Sequence, residues 1–236
     1  MPKLNITTKP LTALSSTAAR ISFAAAALFF ILFAALHFLE PEFDPSWRFI
    51  SEYELGQYGW LMVIAFLSLM VSSASLFVAI CSQIRTIGGY IGLAFLALST
   101  IGFLMAAIFI TDPIMIGKAT EHGSLHSTGA ALGGNIAGAA LFLGWSLARN
   151  KAWGSIRRSL LWITAIAGVG WVAAIGMSVM IAQSHSKFGP GLLVGWPNRV
   201  LIVAYAGWMM ALAWRVLQLR TRLDAHSSSP GHIDSV

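Results

Sequence analysis

Six apolar runs, each long enough to cross a bilayer, set the pattern of this chain. They extend from about Ile21 to Leu39, Gly59 to Cys81, Ile87 to Ile110, His126 to Ala148, Leu160 to Ala182 and Pro197 to Leu217. A membrane helix needs roughly 20 predominantly apolar residues. None of the runs carries a charge over its central part. None alternates apolar and polar residues at period two, as a strand of a membrane barrel would. The pattern predicts an all-α polytopic membrane protein, a bundle of six transmembrane helices. Around it, residues 1–19 form an N-terminal segment, 20–217 the helical domain, and 218–236 a polar tail expected to be disordered. No internal repeat is visible.

Composition agrees with the pattern. The chain is 57% hydrophobic and 10% charged, with mean hydropathy +0.74. A soluble domain carries roughly 25% charged residues, so this chain lacks the polar surface of one. The net charge of +6 and pI near 9.9 would raise nucleic acid as a partner for a soluble protein. Here the placement of charge gives another reason. With the N-terminus in the cytoplasm, eleven of the 15 lysines and arginines fall on the cytoplasmic side. That is the positive-inside bias, and it predicts both termini inside and no nucleic-acid partner. Seven of the nine acids fall outside. The first run exceeds the usual ~7–15 residues of a signal h-region, so it reads as a retained anchor. A single cysteine, Cys81, excludes an intrachain disulfide and any cysteine-rich metal centre. Together these features fit a multi-pass protein of a bacterial inner membrane.

The chemistry-bearing residues converge on the outer ends of the spans. His37 lies in the last turn of the first. Ser51 and Glu52 lie in FISEYELGQYGWLM, before the second. Asp112, followed by Pro113, closes the third; His126 opens the fourth, and Arg199 opens the sixth. Ionisable groups beside membrane spans are costly and carry a functional hypothesis by default. Glycines 129, 133, 134 and 138 in the fourth span stand at small-xxx-small spacings and read as internal helix packing. Trp60, Trp162, Trp196 and Trp214 sit near span ends, as interface anchors do.

The run ISEYELGQYGWLM, the TDP after the third span, the G-x-x-H at Gly123 to His126, and Arg199 at the start of the sixth resemble the bacterial six-helix membrane family called domain of unknown function 998. The likeness covers residues 20 to 217. It implies the six-helix fold and marks His37, Ser51, Glu52, Asp112, His126 and Arg199 as site positions. His122 and Asn198 lie outside the family pattern. The family's name assigns no activity.

Several readings of the cluster compete. An acid at a helix C-terminus and a cation at a helix N-terminus both oppose the macrodipole, so an Asp112–Arg199 ion pair would relieve both and lock the bundle. The same residues could bind a lipid head group or a small anionic ligand, with Arg199 as the charged partner. A third reading is a metal-dependent membrane hydrolase acting on lipid at the outer leaflet. His122 and His126 at i and i+4 would ligate zinc with Asp112 or His37, and Glu52 or His126 would serve as the catalytic base. No cofactor is expected on the first two readings. In the acidic first outer loop, Glu52 is expected to turn inward and the other four acids to be solvated. Ser51 is expected to cap that segment, since it lacks a nucleophile-elbow context. His185 and Lys187 belong to a polar outer loop. A transporter is least supported, because no span carries a charge at mid-depth.

Overall fold

The computed structural model describes residues 11–115, 119–184 and 188–227, and the described residues contain helices and no strands. Lys118, His185, Lys187, the first ten residues and the last nine lie outside them. Seven α-helices follow in order: α1 (Ala13–Leu39), α2 (Gly59–Ile80), α3 (Ile87–Ile108), α4 (Glu121–Gly133), α5 (Ile136–Ala148), α6 (Arg157–Gln183) and α7 (Gly195–Ser227). They make six helical units long and apolar enough to cross a membrane, with α4 and α5 forming the fourth. Short 3-10 turns cover Ile50–Leu55, Cys81–Gln83 and Lys151–Ile156.

Local signals set the helix starts. Thr12, Thr86 and Thr120 each accept a backbone N–H three residues on, the usual service of a threonine N-cap. The fourth unit starts at Glu121, before the expected His126, because Thr120 caps it there. It breaks at Gly134–Asn135, where two weak helix formers meet. Helix α7 runs on to Ser227, ten residues past the expected Leu217 boundary.

The helices close into a ring in which α1 meets both α2 and α7, while α3 meets α2, α4 and α5. Small residues make the closest approaches, as expected where helices associate without a hydrophobic drive between them. A Cβ on Gly102 of α3 would lie 2.2 Å from the Gly133 nitrogen, and one on Gly129 would lie 2.7 Å from Met105 Cβ. The glycines of the fourth span therefore pack internally. Hydroxyl pairs stitch other seams: Ser22 to Ser72 between α1 and α2 (3.2 Å), and Thr100 to Ser73 between α3 and α2 (2.9 Å). Trp60, Trp162, Trp196 and Trp214 are all exposed near the bundle ends. Helix α6 differs from the rest. Its last buried residue is Gly170, and its remaining turns stand against few neighbours.

The alternation of helices brings the C-termini of α1, α3 and α6 and the N-termini of α2, α4 and α7 to one end. The connection from Glu40 to Tyr58 covers that end.

Candidate functional site

The covering connection is held down by carboxylates that accept N–H groups of the connection and of the segment leaving α3. Glu52, fully buried, takes Phe49 N–H on Oε2 (3.0 Å) and Ile114 N–H on Oε1 (2.8 Å). It thereby ties the 3-10 turn to the segment leaving α3. Arg48 Nε lies 3.4 Å from Glu52 Oε2. Glu54 accepts Thr111 N–H on Oε2 (3.0 Å). Glu40 accepts Tyr58 N–H. A Cβ on Gly56 would lie 2.0 Å from Glu40 Oε2, so that carboxylate can fold over the turn only at a glycine.

These positions correct the expectation for the loop. Glu40 is 1% exposed and the Glu54 side chain also 1%, so neither is solvated. The run of Phe49, Ile50, Tyr53 and Leu55 explains why. Ile50 and Tyr53 bury and carry the adjacent Glu52 and Glu54 inward with them, while Glu40 turns in to accept Tyr58 N–H. Burial pushes all three acids up from the ordinary carboxylate range. For Glu52 the Ile114 N–H, Arg48 and the Phe49 N–H oppose the rise, and for Glu40 the Tyr58 N–H does. Glu54 has only the Thr111 N–H to oppose its burial and rises to about 8. Its Oε1 is buried without a partner.

Arg199 enters from the first turn of α7 and is 5% exposed. Its Nε donates to His37 Nε2 (3.0 Å). Its Nη1 donates to the carbonyl oxygens of Arg48 (2.7 Å) and Gly195 (3.1 Å), and its Nη2 to the Tyr53 hydroxyl (3.2 Å). His37 Nδ1 faces Phe33 O at 2.8 Å. The hydrogen-bond pattern assigns the proton to Nδ1, leaving Nε2 as a lone-pair acceptor and the ring neutral. Arg199 thus joins α1, the covering connection and α7 in one knot.

The expected Asp112–Arg199 ion pair does not form. Among the described residues, the ion pair at this end joins Arg48 to Glu52, and Glu54 stands beside the His126 ring. Asp112 turns instead to the start of α4, where Thr120 donates both its N–H (2.7 Å) and its hydroxyl (2.8 Å). An acid there complements the helix dipole, so Asp112 finds its favourable setting at the next helix rather than across the bundle. Gly123 makes this possible, since a Cβ there would lie 2.0 Å from Asp112 Oδ2. That contact accounts for the glycine of the G-x-x-H run.

His126 is 3% exposed. Its Nδ1 lies 2.7 Å from Phe109 O and 3.5 Å from Glu54 Oε2. Its hydrogen-bond partner is therefore Phe109 O, and the acid beside it is Glu54, two residues beyond the Glu52 singled out by sequence. His122, one turn earlier, is exposed and sets its ring edge-on to Phe109. Among the described residues no three His, Cys, Asp or Glu side chains converge as a metal-ligand set. Ser51 reaches Thr111 Oγ1 at 3.5 Å and does not cap the turn.

Beneath the covering turn lies a cavity of about 90 Å³ between α2, α3, α4 and α7. Ser51, His126, Asn198 and Tyr205 supply its polar lining; Phe66, Phe103, Leu201 and Ile202 supply apolar wall. Asn198 Oδ1 accepts Ile50 N–H (3.0 Å), which pins the turn to α7. Tyr205 OH donates to Gly134 O at 3.4 Å, the carbonyl at the α4–α5 break. Helix α4 packs on α3 and faces α7 across this space. Of the sequence candidates, Ser51 and His126 meet here. His37 and Arg199 form the separate knot, and Glu52 and Asp112 serve backbone. Sequence reasoning missed Glu54, Tyr53, Asn198 and Tyr205. The apolar neighbours of Glu54 and the adjacency of Asn198 to Arg199 were the available signals.

No curated protein and no solved structure matches the chain. A family model, described as protein of unknown function (DUF998), matches residues 23–215, the whole bundle apart from the first turns of α1 and the last turns of α7. That span contains the covering turn, the Asp112–Gly123 contact, His126 and Arg199, and on it the chain belongs to the DUF998 family.

Proposed function

We propose that the chain is a multi-pass protein of the bacterial inner membrane, with both termini in the cytoplasm, that binds an uncharged amphiphile of the outer leaflet in the cavity under the covering turn. The positive-inside distribution supports the orientation, because it places the polar end outside. The observation that carries the ligand class is the lining of the cavity. Hydroxyl, imidazole and amide groups from Ser51, Tyr205, His126 and Asn198 face a space otherwise walled by aromatic and aliphatic side chains. At about 90 Å³ the space suits the hydrogen-bonding head of a ligand whose apolar body lies outside it, along the helices. Arg199, the cation expected to draw an anion, has four of its donor contacts inside the protein. A hydroxyl- or ester-bearing lipid fits better than a phosphate or a carboxylate.

The test is retention of lipid. Wild-type protein released from nanodiscs is expected to carry an uncharged lipid in native mass spectra. Ala130→Phe, which adds bulk where α4 lines the cavity, is expected to lose most of it while melting within a few degrees of wild type. Equal retention by the two proteins, or a bound species that is always anionic, would overturn the reading.

A further inference from the structure

Three groups in the cavity have unsatisfied chemistry of a complementary kind. The Ser51 hydroxyl has a single long contact, 3.5 Å to Thr111 Oγ1, so its proton is held by no strong acceptor. His126 presents Nδ1 to Phe109 O, with Glu54 Oε2 3.5 Å away and the Ala106 backbone as a further neighbour of the ring; the proton this places on Nδ1 makes Nε2 the basic nitrogen. Asn198 accepts Ile50 N–H on Oδ1, which assigns the amide orientation and leaves its NH₂ for another acceptor. All three line one cavity. Behind His126, the Glu54 side chain is 1% exposed, and its Oε1 has no partner.

This is the logic of a nucleophile, a base and a group that orients the base, which is recognised by roles and geometry rather than by chain order. Contacts between nucleophile and base are often looser in unliganded sites than in the reacting complex. We propose that Ser51, His126 and Asn198 form an ester-cleaving site for a carboxylic ester of an amphiphile, with Glu54 as the positioning residue for His126. The proposal rests on reading the cavity as an amphiphile site and adds a reaction to it.

The step balances without a further reactant other than water. Ser51 Oγ bonds to the ester carbonyl carbon as its proton passes to His126 Nε2. The carbonyl oxygen takes the electron pair of the C=O bond and is held by the Asn198 NH₂. The C–O bond to the alcohol then breaks, and the alcohol leaves with the proton from Nε2. Water attacks the acyl-Ser51 carbonyl, giving one proton to Nε2 and its oxygen to the acid. The proton returns to Ser51 Oγ as the acid departs. Phe109 O holds the Nδ1–H of the imidazole throughout, and Glu54 Oε2, 3.5 Å from Nδ1, packs beside that edge of the ring and fixes its place.

The experiment uses detergent-purified full chain and a small fluorophosphonate, with the labelled residue identified by peptide mass spectrometry. Wild type is expected to be labelled on Ser51. Ser51→Ala abolishes the label, and His126→Gln slows it by about 100-fold, the usual scale of a general base. Glu54→Gln is expected to lower the maximal labelling rate without changing the half-saturating probe concentration, whereas a merely loosened fold would raise that concentration. Folding of each variant is followed by its melting transition. A wild-type protein that retains lipid yet leaves Ser51 unlabelled overturns the ester-cleaving site and leaves the binding cavity standing. Labelling of Ser51 at an unchanged rate in His126→Gln also overturns it. If the cavity-filling variant retains lipid, the binding reading fails instead, and the label on Ser51 reports on the reaction alone.

Discussion

At the scale of single residues, the polar end shows how a carboxylate is kept in a place where water is scarce. Each buried acid there accepts backbone N–H groups: Glu52 from Phe49 and Ile114, Glu54 from Thr111, Glu40 from Tyr58. These bonds compensate burial that would otherwise be costly. Glu54 is the least compensated and the one whose pKa rises furthest, to about 8. The folded chain therefore holds a proton on Glu54 that the unfolded chain, with an ordinary value of 4.5, gives up. Its contribution to stability is complete below about 4.5, declines as pH rises through the window between, and is lost above about 8. A Tm that falls across that range in wild type, with a flatter profile in Glu54→Gln, is the expected result. Parallel profiles for the two proteins would count against it.

At the scale of elements, the sequence foretold the six long apolar helical units well, because charge-free runs of this length leave the backbone few alternatives to a helix. It foretold the glycine contacts too, since spacing at i and i+4 puts small residues on one helix face. Gly129→Leu should wedge α4 from α3, where a Cβ alone would already lie 2.7 Å from Met105 Cβ. The expected loss is about 1–3 kcal/mol, the scale of overpacking in a tight core, read as a lower melting transition. Gly176→Leu is the control, because a Cβ there meets nothing within 4 Å and should leave the melt unchanged. What sequence could not give was the partner of each acid. Glu52 and Glu54 stand two residues apart in one short turn, and only the fold decides which of them meets His126. The Asp112–Arg199 pairing was drawn from helix dipoles, and it missed that Thr120, eight residues from Asp112, offered two donors nearer at hand.

At the scale of the whole molecule, the buried acids and the cavity lie at one end and the single thiol sits at the other. Cys81 follows α2 at the end opposite the covering turn and is partly accessible. On the proposed orientation, a membrane-impermeant maleimide is expected to leave Cys81 unlabelled in intact spheroplasts and to label it after permeabilisation. Prompt labelling in intact cells would reverse the orientation and place the cavity on the cytoplasmic side.

The knot around Arg199 also imposes an order in time. Its acceptors on His37, Arg48 and Tyr53 belong to the first quarter of the chain, and the guanidinium that binds them arrives with the last helix. A ribosome delivers the two ends of this interaction some 150 residues apart. The first spans must therefore wait beside one another with that end unsealed. The covering turn can be fastened to the helices on both of its sides only once α7 has been made and has found α1.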